Sequence, residues 1–368
     1  MFGKSPRPAA PSNDAVITDT APCQKSVRLR VAQDTIAPIR AAVLAEFQRQ
    51  AALPGFRKGK APVELIERQH AQAIQEETLH RATKEAFERA AKAHQLKPVG
   101  PFEVSKADFS ESGGLTLEAT VEVEPSFALA HYKGIALTEE PAHVGAEDIE
   151  AGLKQLQESM AQLVPGKEGE QKVRQLPAID DELAKDLGFP DLAKLREHLE
   201  AKLREQKRSA RSKALETALC DELLKRHAFE VPSRLVSHQT QRLTRDFQVR
   251  LLLSGMKEEQ VKIEADKFAE QLRTNAERYV KLSFILERIA EQESIAVTQD
   301  ELVGRLWQLS QQWKKDPAEV RKIFDAEGLW PSVFSAVRQE KTVAWLLSAA
   351  AIERAEPAPA AQPTPVQS

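Results

Sequence analysis

Apolar and polar residues alternate from residue 26 onward. Val27, Leu29 and Val31 interleave with Ser26, Arg28 and Arg30, the two-residue period of a strand with one buried face. Asp34 is placed to cap a helix in which Ile36, Ile39, Val43 and Phe47 recur three, four and four residues apart. That helix runs into Leu53-Pro54, and Pro62 suits the first position of the next one, because its missing N–H would be unsatisfied there in any case. Leu65, Ile66, Ile74, Leu79 and Phe87 carry the helical period on to about Leu96. Beyond Pro98 come Phe102-Glu103-Val104, a Gly113-Gly114 turn and a strand over 115–124. In that strand Leu115, Leu117, Ala119, Val121 and Val123 share one face, and Thr116, Glu118, Thr120, Glu122 and Glu124 the other. Residues 25–130 thus predict a compact α+β domain, preceded by a disordered tail over 1–24.

The pattern then changes. Residues 131–176 read as a linker with Gly134, Pro141 and Gly145, followed by a helix carrying Ile149, Leu153, Leu156, Met160 and Leu163 at four-three-four-three spacing. After Pro177 nearly everything is helical, over about 191–227, 233–265, 266–292, 299–314, 317–326 and 332–353. Thr298 with Glu301 has the capping-box spacing, and Asp316-Pro317 is a cap followed by proline at the first helical position. Residues 177–355 therefore predict an elongated all-α domain with helical arms, and 356–368, rich in Pro and Ala, a disordered tail. Aromatics make up only 5% of the chain, so long apolar stripes lack bulky partners. Part of such a stripe is expected to stay exposed as a binding surface. The tryptophans Trp307, Trp313, Trp330 and Trp345 are expected to anchor the core of the last helices.

Charge and composition narrow the chemistry. The 368 residues carry a net charge of −3, so contact with a polyanion has to come from a local patch. Cys23 and Cys220 lie far apart, which fits a reducing compartment and no disulfide framework. The first residues lack an apolar signal core and no run of 18 apolar residues occurs, so a cytoplasmic protein without membrane contact is expected. The histidines are scattered without metal-ligand spacing, and no nucleophile elbow, catalytic dyad or dinucleotide fingerprint is present. No cofactor, metal or enzymatic activity is expected. The cations of the 196–213 helix alternate with Glu197, Glu200 and Glu205 and read as a solvated scaffold face.

One segment fits no core. In Gly55-Phe56-Arg57-Lys58-Gly59-Lys60-Ala61-Pro62, glycines supply unusual backbone angles and proline removes a donor, so the segment presents Phe56, Arg57 and Lys58 on a short constrained tip. Arg57 can fork onto a phosphate or carboxylate, Lys58 and Lys60 act as point charges, and Phe56 adds an apolar anchor. The Walker spacing of a nucleotide loop is missing.

This loop, set between two helices after a strand, resembles the ribosome-binding signature of the trigger factor family. Tyr132-Lys133-Gly134, the 180–188 segment Asp-Asp-Glu-Leu-Ala-Lys-Asp-Leu-Gly, Val231-Pro232 and the 316–320 segment Asp-Pro-Ala-Glu-Val resemble further motifs of that family. The resemblance spans roughly 25–355. It implies an α+β ribosome-binding domain followed by a helical chaperone domain that acts without ATP at the polypeptide exit tunnel. The implied partners are an exit-tunnel protein, ribosomal RNA and unfolded nascent chains, with a weak homodimer off the ribosome as a further implied state. Gly55, Phe56, Arg57, Lys58, Gly59, Lys60 and Pro62 match the docking signature position by position. Leu251, Leu252, Leu253 and Met256, beside Gly255, sit at an expected hairpin tip, where adaptable apolar side chains suit promiscuous client binding or ordinary helix packing.

One departure is large. The family usually carries an FKBP-type prolyl isomerase domain between linker and C-terminal helices. Here roughly a dozen residues, 164–175, separate the 153–163 helix from the C-terminal segment, against a usual lower bound of about 50 for a domain. An isomerase-free chaperone is expected. A ribosome-independent holdase and a ribosomal RNA-binding biogenesis factor remain as alternatives.

Overall fold

The structure, a computed structural model, describes residues 15–51, 54, 56–110, 114–139, 143–160, 162–164 and 173–354. In chain order the elements are β1 (Ala15–Ala21), β2 (Gln24–Val31), α1 (Gln33–Gln50), α2 (Val63–Gln69), α3 (Ala71–Ala93), β3 (Glu103–Ser110), β4 (Gly114–Glu122), β5 (Ala136–Glu139) and α4 (Ala146–Ser159). They continue with β6 (Gln162–Val164), β7 (Val173–Gln175), α5 (Asp181–Asp186), α6 (Leu192–Arg226), α7 (Ser233–Leu253), α8 (Glu258–Lys267), α9 (Ala269–Gln292), α10 (Gln299–Trp313), α11 (Pro317–Glu327), α12 (Trp330–Ser348) and β8 (Ala351–Arg354). The chain divides into two compact units. The first is Met1–Ala128 with Ala228–Phe284, the second Leu129–His227 with Ile285–Ser368.

In the first unit an antiparallel sheet of order β1-β2-β4-β3 forms, and its β2 and β4 lie where alternation predicts strands. Its register pairs Val27 with Ala119, Leu29 with Leu117 and Val31 with Leu115, so the apolar faces of β2 and β4 coincide and are buried. Helices α1 and α3 cover that face with Ile36, Ile39, Val43, Ile74, Ala82, Ala86, Phe87 and Ala90. The alanines, four residues apart, keep one side of α3 thin enough for close approach. At the tight entry to β4, Gly114 has φ +79°, and a Cβ there would lie 2.1 Å from the Val31 carbonyl oxygen.

Several expectations change here. Strand β1 occupies part of the stretch 1–24 expected to be disordered; it pairs with β2 from Ala15 to Ala21, beyond the reach of an alternation signal centred on β2. Residues 1–14 and 355–368 lie outside the described residues. Ala32, not Asp34, is the N-cap of α1; Asp34 sits in the first turn, where its charge meets the positive end of the helix dipole. The long helix expected after Pro62 breaks at His70, whose ring lies 5.9 Å from that of Phe47.

Helices α7 and α8, together with the start of α9, belong to the first unit, not to a separate C-terminal body. Two contacts explain this. Phe127 stacks on Phe229 at 4.1 Å with rings 4° from parallel. Glu122, only 5% exposed at the end of β4, accepts hydrogen bonds from Ser233 Oγ at 3.0 Å and from the Arg234 backbone N at 3.0 Å. A sheet carboxylate thus caps a helix whose bonded amide lies 112 residues further on, its charge against the helix N-terminus. Arg234 in turn pairs with Glu103.

In the second unit Leu153 of α4 packs on Leu195 and Leu199 of α6, with Ala184 of α5 completing the cluster. A separate cluster joins Leu306, Val320 and Phe324 across α10 and α11, with Trp330 of α12 beside them. Thr298 and Glu301 form the reciprocal capping box of α10, and Asp316 with Pro317 opens α11, both at the expected positions. The C-terminal part is not all helical: β8 pairs in parallel with β5, inside the stretch expected to be a linker. That stretch is tied down further. The Tyr132 hydroxyl donates to Glu293 Oε1 at 2.6 Å, Lys133 pairs with Glu293 at 2.8 Å and lies 5.3 Å above the Trp345 ring. The Ala130 N–H donates to Nε2 of buried His227 at 3.0 Å, leaving Nδ1–H for the Leu223 carbonyl at 2.7 Å. Helix α4 ends at Ser159, and Leu163, expected on it, lies in β6, which pairs with β7 as a short antiparallel ladder.

Candidate functional site

The tip predicted from the sequence is built on the last turn of α1 and the first of α2. Phe56 is 42% exposed, and Arg57, Lys58 and Lys60 are exposed without an ion pair among the described residues. The Lys60 N–H donates to the Arg57 carbonyl at 2.9 Å, closing a turn. Gly59 has φ +78°, a left-handed conformation that glycine adopts at least cost. The return leg is pinned: Ala61 is buried, and its carbonyl accepts from Gln48 Nε2 on α1 at 2.8 Å. Pro62, expected as the first helical residue, is instead the exposed N-cap position of α2, which begins at Val63. Gly55, the first residue of the signature, lies outside the described residues.

The structure adds neighbours that the sequence pattern did not single out. Val63 and Leu65 are each about two-fifths exposed, so Leu65, expected on the buried stripe of its helix, instead faces solvent on α2. Only Ile66 of α2 is buried, because a helix of this length turns one narrow face to the core. Arg49 borders the tip from the other side: a Cβ on Gly59 would lie 3.7 Å from the Arg49 carbonyl oxygen.

Electrostatics keep these cations available. From Phe47 to Val63 the chain contains no acidic residue. The nearest acid on α1, Glu46, is occupied by Arg81, which donates to both its oxygens at 3.0 and 2.7 Å and to Glu77 at 2.6 Å. The hydrogen bond from Arg81 holds the Glu46 carboxyl below the usual carboxylate range, and the same bonds push the Arg81 guanidinium up. The tip is thus a cluster of cations and apolar side chains, suited to an anionic surface that also offers an apolar contact.

The second predicted site lies at the end of α7. Gly255 has φ +88°, and the Met256 N–H bonds back to the Leu251 carbonyl at 3.2 Å, so the chain reverses into α8 at the expected tip. Leu253 is 83% exposed and Leu252 also exposed, while Leu251 and Met256 are half-buried. None of the residues of α7 is buried, and Val249, Ile263 and Phe268 extend the exposed apolar surface nearby. Such a surface can hold extended apolar segments by many weak contacts, without a preformed cavity. Trp307 and Trp313, expected in the core, are 58% and 43% exposed, although the Trp313 ring meets that of Phe324 edge-on at 6.0 Å; Trp330 and Trp345 are half-buried. Their helix spends its narrow inward face on Leu306 and Ser310.

Several cations of the basic stretch of α6 are paired with carboxylates. Arg204 pairs with Glu200, Arg196 with Glu150, Lys207 with Asp148 at 2.7 Å and Arg211 with Glu139. No helix among the described residues is long and apolar enough to cross a membrane.

Comparisons with known proteins agree with this layout. The family profile described as bacterial trigger factor protein (TF) matches residues 14–156, and that for the bacterial trigger factor protein C-terminus matches 191–348. The trigger factor of Anaeromyxobacter dehalogenans is 25% identical over 425 residues, covering 92% of this chain and 99% of that protein. The trigger factor of Citrifermentans bemidjiense is 24% identical, covering 89% and 95%. A solved structure of the trigger factor chaperone aligns over 91% of this chain and 99% of that one, with a TM-score of 0.50 at 18% identity, a likeness of fold. The profiles leave 157–190 unmatched. That stretch is shorter than the roughly 50 residues a domain needs, and the middle isomerase domain is missing from this chain.

Proposed function

The chain belongs to the trigger factor family, and from that premise we propose that it is an ATP-independent chaperone that docks at the ribosomal polypeptide exit and shields nascent chains. The observation that carries the reading is the tip. Phe56, Arg57, Lys58 and Lys60 stand free in solvent on a turn pinned by the Gln48–Ala61 hydrogen bond. Holding four long or bulky side chains on one turn, with no ion-pair partner among the described residues, pre-pays part of the ordering cost of binding. An exposed apolar and cationic group of this kind fits a surface of RNA phosphates beside protein.

Leu251, Leu252, Leu253 and Met256 supply the client-binding surface. Contacts of this sort are individually weak and release quickly, so a client leaves by folding, without nucleotide hydrolysis. The solved relative is described as recognising substrates promiscuously in folding and assembly. An exposed leucine-rich tip is the surface such breadth requires. With the middle domain missing, the protein acts by binding alone and carries no prolyl isomerase activity. Its location follows as cytoplasmic.

The test is co-sedimentation. The Phe56→Ala/Arg57→Ala/Lys58→Ala variant is expected to lose ribosome binding while keeping its circular dichroism spectrum and its suppression of client aggregation. Undiminished ribosome binding would end the docking assignment. Proline-isomerase turnover on short peptides would end the claim of action by binding alone.

A further inference from the structure

Resting on the docking assignment above, we propose that the last turn of α1 is the second half of the ribosome-docking surface: Arg49 is a fourth guanidinium or ammonium contact to ribosomal RNA phosphate, and Gln48 is a positioning residue that holds the tip beside it. Neither residue belongs to the 55–62 signature.

Three observations carry this. First, Gly59 packs on the α1 backbone at Arg49, 3.7 Å from its carbonyl oxygen to the position of a Cβ, so the turn that presents Arg57 and Lys58 abuts the residue that bears the Arg49 side chain. Second, Arg49 is exposed and forms no ion pair among the described residues; its Nε donates only to the Ala45 carbonyl at 3.3 Å. Glu46, one turn back and the natural helical partner, has both oxygens bound by Arg81. Third, the Gln48 amide reaches across to the Ala61 carbonyl at 2.8 Å, so the spacing between the two halves is set by a hydrogen bond and not by chain stiffness alone.

Phosphate is favoured over a protein carboxylate by the charge pattern. Arg49, Arg57, Lys58 and Lys60 place four cations in twelve residues with no acid among them. A run of backbone phosphates presents charges at regular short intervals, and each neutralised phosphate releases counterions. Isolated surface carboxylates do neither.

The experiment is ribosome affinity of the full chain against salt, using purified large ribosomal subunits. Arg49→Gln, a swap between residues of similar helix propensity, is expected to weaken binding several-fold and to lower the slope of log K against log salt by roughly one contact, about 0.7–0.9. Gln48→Met keeps the side-chain length and loses the amide, so binding should weaken with the slope unchanged. Arg208→Gln on α6, which removes an exposed cation elsewhere, should change neither. If Arg49→Gln leaves affinity and slope intact while the Phe56/Arg57/Lys58 triple variant abolishes binding, Arg49 merely offsets the negative end of the α1 dipole and the proposal fails. A weaker Arg49→Gln complex with an unchanged slope overturns the phosphate assignment. A triple variant that binds normally sinks the docking assignment itself, a separate outcome.

Discussion

Glu122 offers the sharpest test of how the first unit holds its helical part. Its carboxylate is buried and accepts from Ser233 Oγ at 3.0 Å and from the Arg234 N–H at 3.0 and 3.2 Å to its two oxygens. Hydrogen bonds to a charged acceptor contribute about 1.5–3 kcal/mol each when the loss leaves a partner stranded. The charge also faces the positive end of α7, worth about 0.3–1 kcal/mol. Truncation to Ala loses both terms, and solvent entering the gap recovers some of the hydrogen bonding. Glu122→Ala should therefore cost about 3 kcal/mol in opening the start of α7, close to a hundredfold. Glu122→Gln keeps one acceptor oxygen and should cost about 1 kcal/mol. Hydrogen exchange read by mass spectrometry checks this locally. Amides in the first turns of α7 should exchange about two orders of magnitude faster in Glu122→Ala, while those of β2 and β4 stay protected. Unchanged α7 protection would refute the anchoring role. Equal acceleration in β4 would show that the loss is in the sheet and not at the cap.

Other outcomes follow from the same contacts. Gly114→Ala forces a Cβ against the Val31 carbonyl at a positive φ, and chemical denaturation of the variant should show a loss of about 3 kcal/mol or more. Leu153→Ala hollows the cluster shared by α4, α5 and α6 and should cost about 2–5 kcal/mol, read as a lowered denaturation midpoint. In the second unit Asp148 and Glu293 are held below the ordinary carboxylate range, chiefly by hydrogen bonds from Lys207 and Lys133. Such groups stabilise the fold above their unfolded values near pH 4, and that contribution is lost as pH falls through the lower folded values. Acid melts followed by near-ultraviolet circular dichroism should show this loss, and Asp148→Asn with Glu293→Gln should flatten it. Tyr132 is pushed up to about 12, first by burial and then by its bond to Glu293, so its share of stability holds below pH 10 and fades as pH rises toward that value. Tyr132→Phe should remove the alkaline part of the pH profile.

Residues read correctly from the sequence share a physical property: their partners are local or their periodicity is self-contained. The β2 and β4 alternation, the α1 stripe, the capping box of Thr298 and Glu301, the Asp316-Pro317 start and the Gly255 reversal all depend on neighbours within a few positions. The exposed turn at 56–62 was legible for the same reason, since Gly, Pro and cations at fixed spacing predict an exposed constrained turn wherever it sits. What failed was decided by distant residues. Leu163 kept a helical spacing yet joined β6, because its pairing partner, Arg174, lies eleven positions further along the chain. Leu65, Trp307 and Trp313 had the composition of core residues but fell on faces left uncovered.

The sequence alone determined the strands β2 and β4, most of the helical segments, the position of the tip and the lack of room for a middle domain, because these rest on local propensity and on length. Tertiary structure decided the rest. It made Glu122 a cap for α7, paired β5 with β8 across more than two hundred residues, and set Arg49 beside Gly59. Contacts of that kind are fixed by where the packed core brings chain segments together, and no periodicity along the chain records them.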